Sequence, residues 1–179
     1  MTDPEHAAAP GIVVRAATPK DLEALVALYR ALDDLQRPWR TFAPRADPLD
    51  GALTRYRDAI DDPDARLAVA VAAQVADEPG ATATERVVGM GLAHVAMVSS
   101  MSDERALDLT NVVVDLRHRG RGIGRAIVAD LVAFGRERGI RLATVRAFSG
   151  NDGAVAFWSA LGFGPRFVQM VGELPALSV

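Results

Sequence analysis

The sequence contains no cysteine among its 179 residues. This absence excludes disulfide bonds, thiolate metal sites and a cysteine nucleophile, so any catalysis has to use other side chains or the backbone. A chain without cysteine also fits a reducing compartment, and we expect a cytoplasmic protein.

Long apolar runs and a strong excess of one charge are also missing. No apolar run approaches the roughly 20 residues that span a bilayer, and residues 1–10 lack the apolar core of a signal peptide. The charged fraction of 24% is that of a soluble globular protein, and a formal charge of −3 does not suit a nucleic-acid-binding protein. We therefore expect no membrane or nucleic-acid partner, a flexible tail over residues 1–10, and a single domain over residues 11–179.

Apolar periodicity predicts that strands and helices alternate along the chain. The pair Thr18-Pro19 is typical of a helix start, and Gly139 and Gly162 are typical of helix ends. This order predicts an α/β domain with mixed strand pairing. The predicted strands cover residues 12–16, 67–75, 87–98, 107–114, 142–148 and 167–174, and the predicted helices cover residues 22–32, 49–60, 123–138 and 154–161.

Residues 117–124, RHRGRGIG, combine three glycines with four positive or potentially positive side chains. They lie between a predicted strand that ends near Val114 and a predicted helix that begins near Gly122. Small residues let successive backbone N–H groups converge, and the unpaired N–H groups of a first helical turn point the same way. Each hydrogen bond to a charged acceptor contributes about 1.5–3 kcal/mol, so the loop can hold a pyrophosphate with the help of its arginines. These arginines are Arg119, Arg121 and Arg125.

The same glycines would also suit an ordinary strand-to-helix turn with solvated arginines. A Walker A loop is excluded because no Gly-Lys-Ser/Thr ending follows, and a Rossmann first turn is excluded because the strand comes after a hairpin. A site for a small anion and an ordinary turn are therefore the two interpretations of the loop.

Two separate motifs resemble those of the GCN5-related N-acetyltransferases, the GNAT superfamily. In VVVDLRHRGRGIGRAIV, the residues Arg119, Gly122 and Gly124 occupy the fixed positions of the family motif Arg/Gln-x-x-Gly-x-Gly/Ala. The segment NDGAVAFWSALGF resembles the C-terminal motif of the family, which opens on an asparagine and ends in Leu-Gly-Phe. The resemblance covers all but the tail. It implies the GNAT fold, an α/β (α+β) domain with a central mixed, mostly antiparallel twisted sheet of six to seven strands flanked by about four helices.

The resemblance also implies acetyl-CoA as cosubstrate and no metal. It assigns the pyrophosphate to the N–H groups of residues 120–125, and the pantetheine arm to the preceding strand, where adjacent strands diverge. An N–H group of that strand would face the acetyl oxygen. The residues that the resemblance implies at the cofactor are Val112, Val113, Val114, Arg119, Gly120, Arg121, Gly122, Ile123, Gly124, Arg125, Asn151, Phe157 and Trp158.

The chain departs from the family pattern at the positions that handle protons. Trp158 stands where many members have a tyrosine that protonates the leaving thiolate, and an indole has no useful acidity near pH 7. Thr110 stands at a strand position often held by a glutamate base. We take Trp158 and Asp108 as the candidate catalytic residues, with Asp108 acting as a base through an ordered water. An exposed acid without a catalytic role is the alternative for Asp108, and Glu104 is a weaker candidate base.

Trp39 and Phe42 lie with Arg37 and Arg40 in the predicted loop between the first two helices. In the family this loop walls the acceptor site, where aromatic and arginine side chains suit an acceptor that carries a carboxylate. A lid over the core is the alternative role for Trp39.

The motifs favour an enzyme that moves an acetyl group from acetyl-CoA directly to a primary amine in a ternary complex. Because the usual tyrosine and glutamate are absent, a non-catalytic acyl-CoA-binding domain of the same fold is the alternative, and a nucleotide-binding module is a third. The acceptor stays open between a small molecule, a protein N-terminus and a lysine. A homodimer through the C-terminal strands is compatible with this fold.

Overall fold

The computed structural model describes residues 11–40, 48–74, 84–99, 102–166 and 168–171. A five-stranded sheet forms the centre of this part of the chain. The strands of these residues follow one another in space in their sequence order, with antiparallel pairing up to the fourth strand and parallel pairing of the last two. They are β1 (Ile12–Ala16), β2 (Ala65–Gln74), β3 (Thr84–Ser99), β4 (Ser102–Val114) and β5 (Leu142–Val145).

Four α-helices cover the two faces of this sheet in the described part of the chain. On one face, α1 and α2 bury Leu25 and Tyr56 against Val69 and Leu92. On the other face, α3 buries Ile127 and Leu131 against small strand residues, and Trp158 of α4 joins the same cluster. The helices are α1 (Leu22–Gln36), α2 (Pro48–Asp61), α3 (Ile123–Glu137) and α4 (Asp152–Ser159).

Glycines in β3 allow α3 to lie close to the sheet. A Cβ atom on Gly91 would lie 2.6 Å from Cγ2 of Ile127, and one on Gly89 would lie 3.0 Å from Cδ1 of the same side chain. A Cβ atom on Gly91 would force Ile127 to shift, and one on Gly89 would make a tight contact with it, so the two glycines let α3 pack at its present depth. The start of α3 is thereby held beside the end of β4.

One extra residue interrupts β4 opposite Gly91. Met90 pairs with Val113 and Leu92 pairs with Thr110, so three steps along β4 match two steps along β3. Asn111 lies in this β-bulge with φ at 52°, in the left-handed region. Side chains alternate between the faces on either side of a bulge, and the bulge therefore sets which face the last strand residues present.

The α/β class, the mixed pairing and the four helices predicted from the sequence are confirmed. The predicted strand count was too high for the described residues, which form five strands instead of six to seven. The strand predicted over 142–148 is β5, which ends at Val145. The last pair between β4 and β5 joins Leu109 to Val145, and β4 bulges directly after it. Residues 168–171 form no strand, and Val168 is 83% exposed. The other residues of that predicted strand, and the predicted tail 1–10, lie outside the described residues.

No helix within the described ranges is both long and apolar enough to cross a membrane.

Candidate functional site

The glycine-rich loop joins the end of β4 to the start of α3. Asp115 follows the last residue of β4 and caps a single 3-10 turn over Leu116–His118. Its side chain accepts a hydrogen bond from the backbone N–H of Arg117 at 2.9 Å. This backbone hydrogen bond is the main reason that the pKa of Asp115 lies below its ordinary value. Gly120 and Gly122 follow with φ at 73° and 74°. Only glycine adopts this conformation at little cost, so both positions require it.

Backbone N–H groups accumulate at the start of α3. The first bond of the helix runs from the N–H of Ala126 to the carbonyl of Gly122, at 3.0 Å. The N–H groups of residues 120–125 donate to no acceptor among the residues that the structure describes. Gly122 is the N-cap and supplies no side chain to satisfy them. Free N–H groups and the positive end of the helix dipole are features that suit the binding of an anion.

The arginines around the loop differ in their contacts. Arg119 donates from Nε to the carbonyl of Val114 at 3.1 Å, and Arg125 donates from Nη2 to the carbonyl of Ala160 at 3.4 Å. Arg121 is exposed and has no hydrogen bond or ion pair to any described residue. Arg121 is therefore the side chain best placed to meet an anion, while the other two brace the backbone on each side.

The pairing of β4 with β5 stops before β4 reaches this loop, and we call the gap that follows between residues 110–114 and the end of β5 the groove. The two strands pair in parallel from Ala106 with Leu142 to Leu109 with Val145, and no further pairing follows. The segment from Thr110 to Val114 therefore has no strand neighbour on this side within the described chain. Parallel strands that separate leave backbone N–H and C=O groups free to bind an extended ligand.

The side chains of the three valines that end β4 alternate between the two faces of the sheet. Val113 is buried in the cluster under α1 and α2, whereas Val112 and Val114 pack towards α3 and α4. Ile123, at the start of α3, is only 1% exposed. Val113 turns its N–H and C=O towards β3, because hydrogen-bonded pairs alternate along the ladder and the N–H of Asp115 donates to the carbonyl of Val88. Val112 and Val114 turn their backbone groups away from β3, towards the groove. Ile123 has only its backbone groups available to a ligand at the loop.

Asn111 and Tyr56 form a hydrogen bond behind this groove. Nδ2 of Asn111 donates to Oη of Tyr56 at 3.0 Å, and Tyr56 is completely buried. Burial raises the pKa of Tyr56 well above that of a free phenol. Sequence reasoning missed both residues, although an asparagine next to a run of three valines is unusual in a strand and was the available signal.

Asp108 lies at the entrance of the groove. Its neighbours Leu107 and Leu109 are buried under α3, so the side chain of Asp108 is on the opposite face, together with that of Thr110. Thr144 of β5 donates from Oγ1 to Oδ1 of Asp108 at 2.9 Å, and Nη2 of Arg146 lies 3.8 Å from Oδ2. The carboxylate is partly buried, accepts one hydrogen bond from Thr144 and lies within ion-pair distance of the exposed Arg146.

Helix α4 contributes the residues of the second motif. Asn151 is its N-cap, with Oδ1 accepting from the N–H of Ala154 at 3.1 Å. The ring of Phe157 lies 3.3 Å from the position of a Cβ atom on Gly124. Trp158 is buried and packs edge to face between Phe157 and Phe163, at centroid distances of 5.1 and 5.2 Å. Its indole is a core side chain, and a role beside the leaving sulfur stays a prediction.

Trp39 connects the end of α1 to the loop before α4. Its Cδ1 atom lies 2.7 Å from the position that a Cβ atom would take on Gly150. Arg40 forms an ion pair with Asp33 and also donates to the carbonyl of Asp33 at 3.1 Å, which fixes the chain next to the indole. Trp39 thus covers the loop that follows β5. Phe42 lies outside the described residues.

Comparison with known proteins agrees with this geometry. Residues 28–163 match the model of the acetyltransferase (GNAT) family. The uncharacterized N-acetyltransferase MJ1207 of Methanocaldococcus jannaschii is 29% identical over 76 residues, which make up 42% of this chain and 34% of that protein. The chain thus spans about a third of the length of this relative.

Two solved structures share the fold over nearly the whole chain. A variant of the BH1408 protein from Bacillus halodurans superposes with a TM-score of 0.71 at 22% identity, covering 92% of this chain and 99% of that one. A predicted acetyltransferase from Clostridium acetobutylicum, crystallised with acetyl-CoA, superposes with a TM-score of 0.65 at 17% identity, covering 92% of this chain and 97% of that one. At these identities the similarity establishes a common fold.

Proposed function

The chain belongs to the acetyltransferase (GNAT) family, and on that premise we propose that it transfers an acetyl group from acetyl-CoA directly to a primary amine. Both substrates would be bound together in a ternary complex. The observation that carries this proposal is the array of free N–H groups at residues 120–125, directly beside the groove between β4 and β5. The structural neighbour from Clostridium acetobutylicum, which was crystallised with acetyl-CoA, supports the choice of cosubstrate.

The loop suits a pyrophosphate in both shape and charge. Nothing lies within 4 Å of the position of a Cβ atom on Gly120, so an anion can approach the backbone there closely. The N–H groups of Gly120 to Arg125 would donate to the phosphate oxygens, and Arg121 would supply a countercharge. Asn151 uses its oxygen as a helix cap, which leaves its amide NH2 group free to donate to the cosubstrate. The pantetheine arm would then lie along residues 112–114 in the groove.

The reaction needs positioning more than acid or base strength. The amine nitrogen attacks the thioester carbonyl carbon, the carbonyl oxygen becomes an oxyanion, and the carbon–sulfur bond breaks to release the CoA thiolate. The nitrogen loses one proton and the thiolate takes one up. Backbone N–H groups of β4 would stabilise the oxyanion, and the alignment of two bound substrates supplies much of the acceleration.

Asp108 is the proposed base for the amine proton, acting through a water molecule. Thr144 orients one oxygen of this carboxylate, and the second oxygen faces Arg146 at the entrance of the groove. No acid is required for the thiolate, because a free thiol has a pKa of about 8.5 and its thiolate leaves readily near neutral pH. Trp158 would then contribute packing and not a proton.

A panel of amines, assayed for thiol release from acetyl-CoA and analysed by mass spectrometry, tests the proposal. We expect an acetylated product with at least one amine, and an Asp108→Asn variant that turns over at least about a hundredfold more slowly, as for a lost general base. Asp103→Asn is the matched control, since Asp103 is an exposed acid at the start of the same strand. Tight binding of acetyl-CoA without turnover for any amine would contradict the proposal and favour a non-catalytic acyl-CoA-binding domain.

A further inference from the structure

The bulge in β4 lies where β4 and β5 separate. The last paired residues are Leu109 and Val145, and Asn111 follows two residues later with φ at 52°. Asn111 is the only non-glycine residue with a positive φ in the described chain. Strained backbone in a folded protein persists only where the surroundings hold it, and it is concentrated at functional sites.

Tyr56 holds this conformation from across the core. Tyr56 belongs to α2 and its hydroxyl accepts the hydrogen bond from Nδ2 of Asn111 at 3.0 Å. The ring is itself held by an edge-to-face contact with Tyr29, at a centroid distance of 6.3 Å. Because burial raises the pKa of Tyr56, its hydroxyl stays protonated at neutral pH and does not act as a base. Its contribution at this point is a fixed hydrogen-bond partner.

The bulge also decides which way the end of β4 faces. If β4 instead alternated regularly through Asn111, with no bulge, each side chain after Asn111 would turn to the other face of the sheet. Val113 would then leave the core under α1 and α2, where it is 5% exposed. The backbone groups would turn with the side chains, so those of Val112 and Val114, which now face the groove, would face β3 instead.

We propose that Tyr56 and Asn111 are positioning residues for acetyl transfer, because their hydrogen bond holds the bulge that directs backbone N–H groups of β4 at the acetyl carbonyl. The inference rests on the proposed function, since it assumes that acetyl-CoA binds in the groove. Neither side chain touches the cosubstrate in this account. Both act through the backbone of β4.

The test uses acetyl-CoA labelled with ¹³C at the thioester carbonyl. The chemical shift of the bound carbonyl reports the hydrogen bond that it accepts, and its measurement requires no acceptor amine. The variants are Tyr56→Phe, which removes only the hydroxyl, and Asn111→Gly, which keeps the positive φ accessible but removes the side-chain donor. Val69→Ala is the control, because Val69 is completely buried in the same core and lies in β2, away from the bulge.

In wild-type protein and in Val69→Ala we expect the carbonyl resonance to shift on binding. In Tyr56→Phe and Asn111→Gly it should return towards its value in free acetyl-CoA, while the dissociation constant of CoA changes less than about threefold. Turnover with the best amine should fall about 10- to 100-fold, as for a reacting group displaced by a fraction of an ångström. Turnover of the double variant should be no lower than that of either single variant, because each substitution removes the same hydrogen bond.

An unchanged carbonyl shift in both variants would overturn the inference, and so would a loss that Val69→Ala shares to the same degree. If the wild-type protein fails to bind acetyl-CoA, the proposed function itself fails. If the wild type binds acetyl-CoA and both variants show the same carbonyl shift as the wild type, only the positioning role of Tyr56 and Asn111 fails. The two failures are therefore distinct.

Discussion

The ring of Phe157 lies on Gly124, 3.3 Å from the position that a Cβ atom would take there. This contact seats α4 on the first turn of α3, whose N–H groups form the proposed anion site. Trp158, the next residue, packs on Phe157 and on Phe163. The two sequence motifs, which are separate along the chain, therefore form one packed unit.

We expect Gly124→Val to destabilise the protein, because the added side chain meets the Phe157 ring. Overpacking of this kind costs about 1–3 kcal/mol of unfolding free energy, measured by urea denaturation. The same substitution should cost less in a Phe157→Leu background, where a smaller and more flexible side chain can move aside. If Gly124→Val lowered the unfolding free energy equally in both backgrounds, the Phe157 ring would not be what restricts the size of the side chain at position 124.

Arg121→Ala should weaken the binding of CoA at low ionic strength, and the deficit should shrink as salt is added. The charge of Arg121 is exposed, so its attraction for a phosphate is screened over a Debye length of about 10 Å at 0.1 M salt. Calorimetric titrations at two salt concentrations measure this effect. Arg136→Ala is the control, because Arg136 is an exposed arginine in the last turn of the same helix. A deficit independent of salt would remove Arg121 from the phosphate site.

Trp158→Tyr should turn over no faster than Trp158→Phe. Trp158 is 9% exposed and lies between two phenylalanine rings, so a tyrosine there is expected to lose packing without gaining a proton-transfer role. Turnover of the wild type and both variants with one good amine decides the point. A tyrosine variant faster than both the wild type and the phenylalanine variant would show that departure of the thiolate limits the reaction.

Asp21 should make the stability of the fold depend on pH in the acidic range. Burial raises the pKa of Asp21, but hydrogen bonds from the Arg15 guanidinium and from Thr18 outweigh burial and leave the pKa below its ordinary value. A carboxyl whose pKa is lowered by folding stabilises the protein above its unfolded pKa, near pH 4, and this stability is lost as the pH falls through the folded value.

The Asp21→Asn variant isolates this contribution. Its unfolding free energy at pH 7 should be lower than that of the wild type by about 2–3 kcal/mol, as for lost hydrogen bonds to a charged group. Denaturation series at pH 7 and pH 3 should show the difference between the two proteins shrinking at the lower pH. A difference that stays constant over this range would mean that the ionisation of Asp21 contributes nothing.

Local sequence signals were sufficient for the loop and for most elements. Gly120 and Gly122 predicted the turn, because glycine alone adopts a positive φ at little cost and this preference can be read from a single residue. Both glycines have a positive φ in the structure. The apolar period of α3 likewise predicted its buried face. The candidate base Asp108 could be assigned to its strand face by alternation alone, but its hydrogen bond from Thr144 could not, because that depends on which strand pairs with β4.

Contacts between distant segments are what the sequence did not reveal. The bulge at Asn111 can only be recognised by counting residues on both β3 and β4, and its partner Tyr56 lies 55 residues away along the chain. Trp39 and Gly150 meet through the folded positions of α1 and the loop after β5, and no local pattern reveals this contact, although the sequence singled out Trp39 itself. The early end of β5 has the same origin, since strand length depends on the partner as well as on β-propensity.

The affinity for CoA of two glycine variants at opposite ends of α3 tests the central claim most directly. Gly120 and Gly139 have nearly the same φ, 73° and 71°, and nothing lies within 4 Å of a Cβ atom on either, so valine imposes a similar backbone strain at both. We predict that calorimetry will show at least about a tenfold loss of affinity in Gly120→Val, the equivalent of one charge-assisted hydrogen bond. Gly139→Val should bind CoA within about twofold of the wild type. Equal affinities in the two variants would contradict the assignment of the loop at residues 120–125 as the pyrophosphate site.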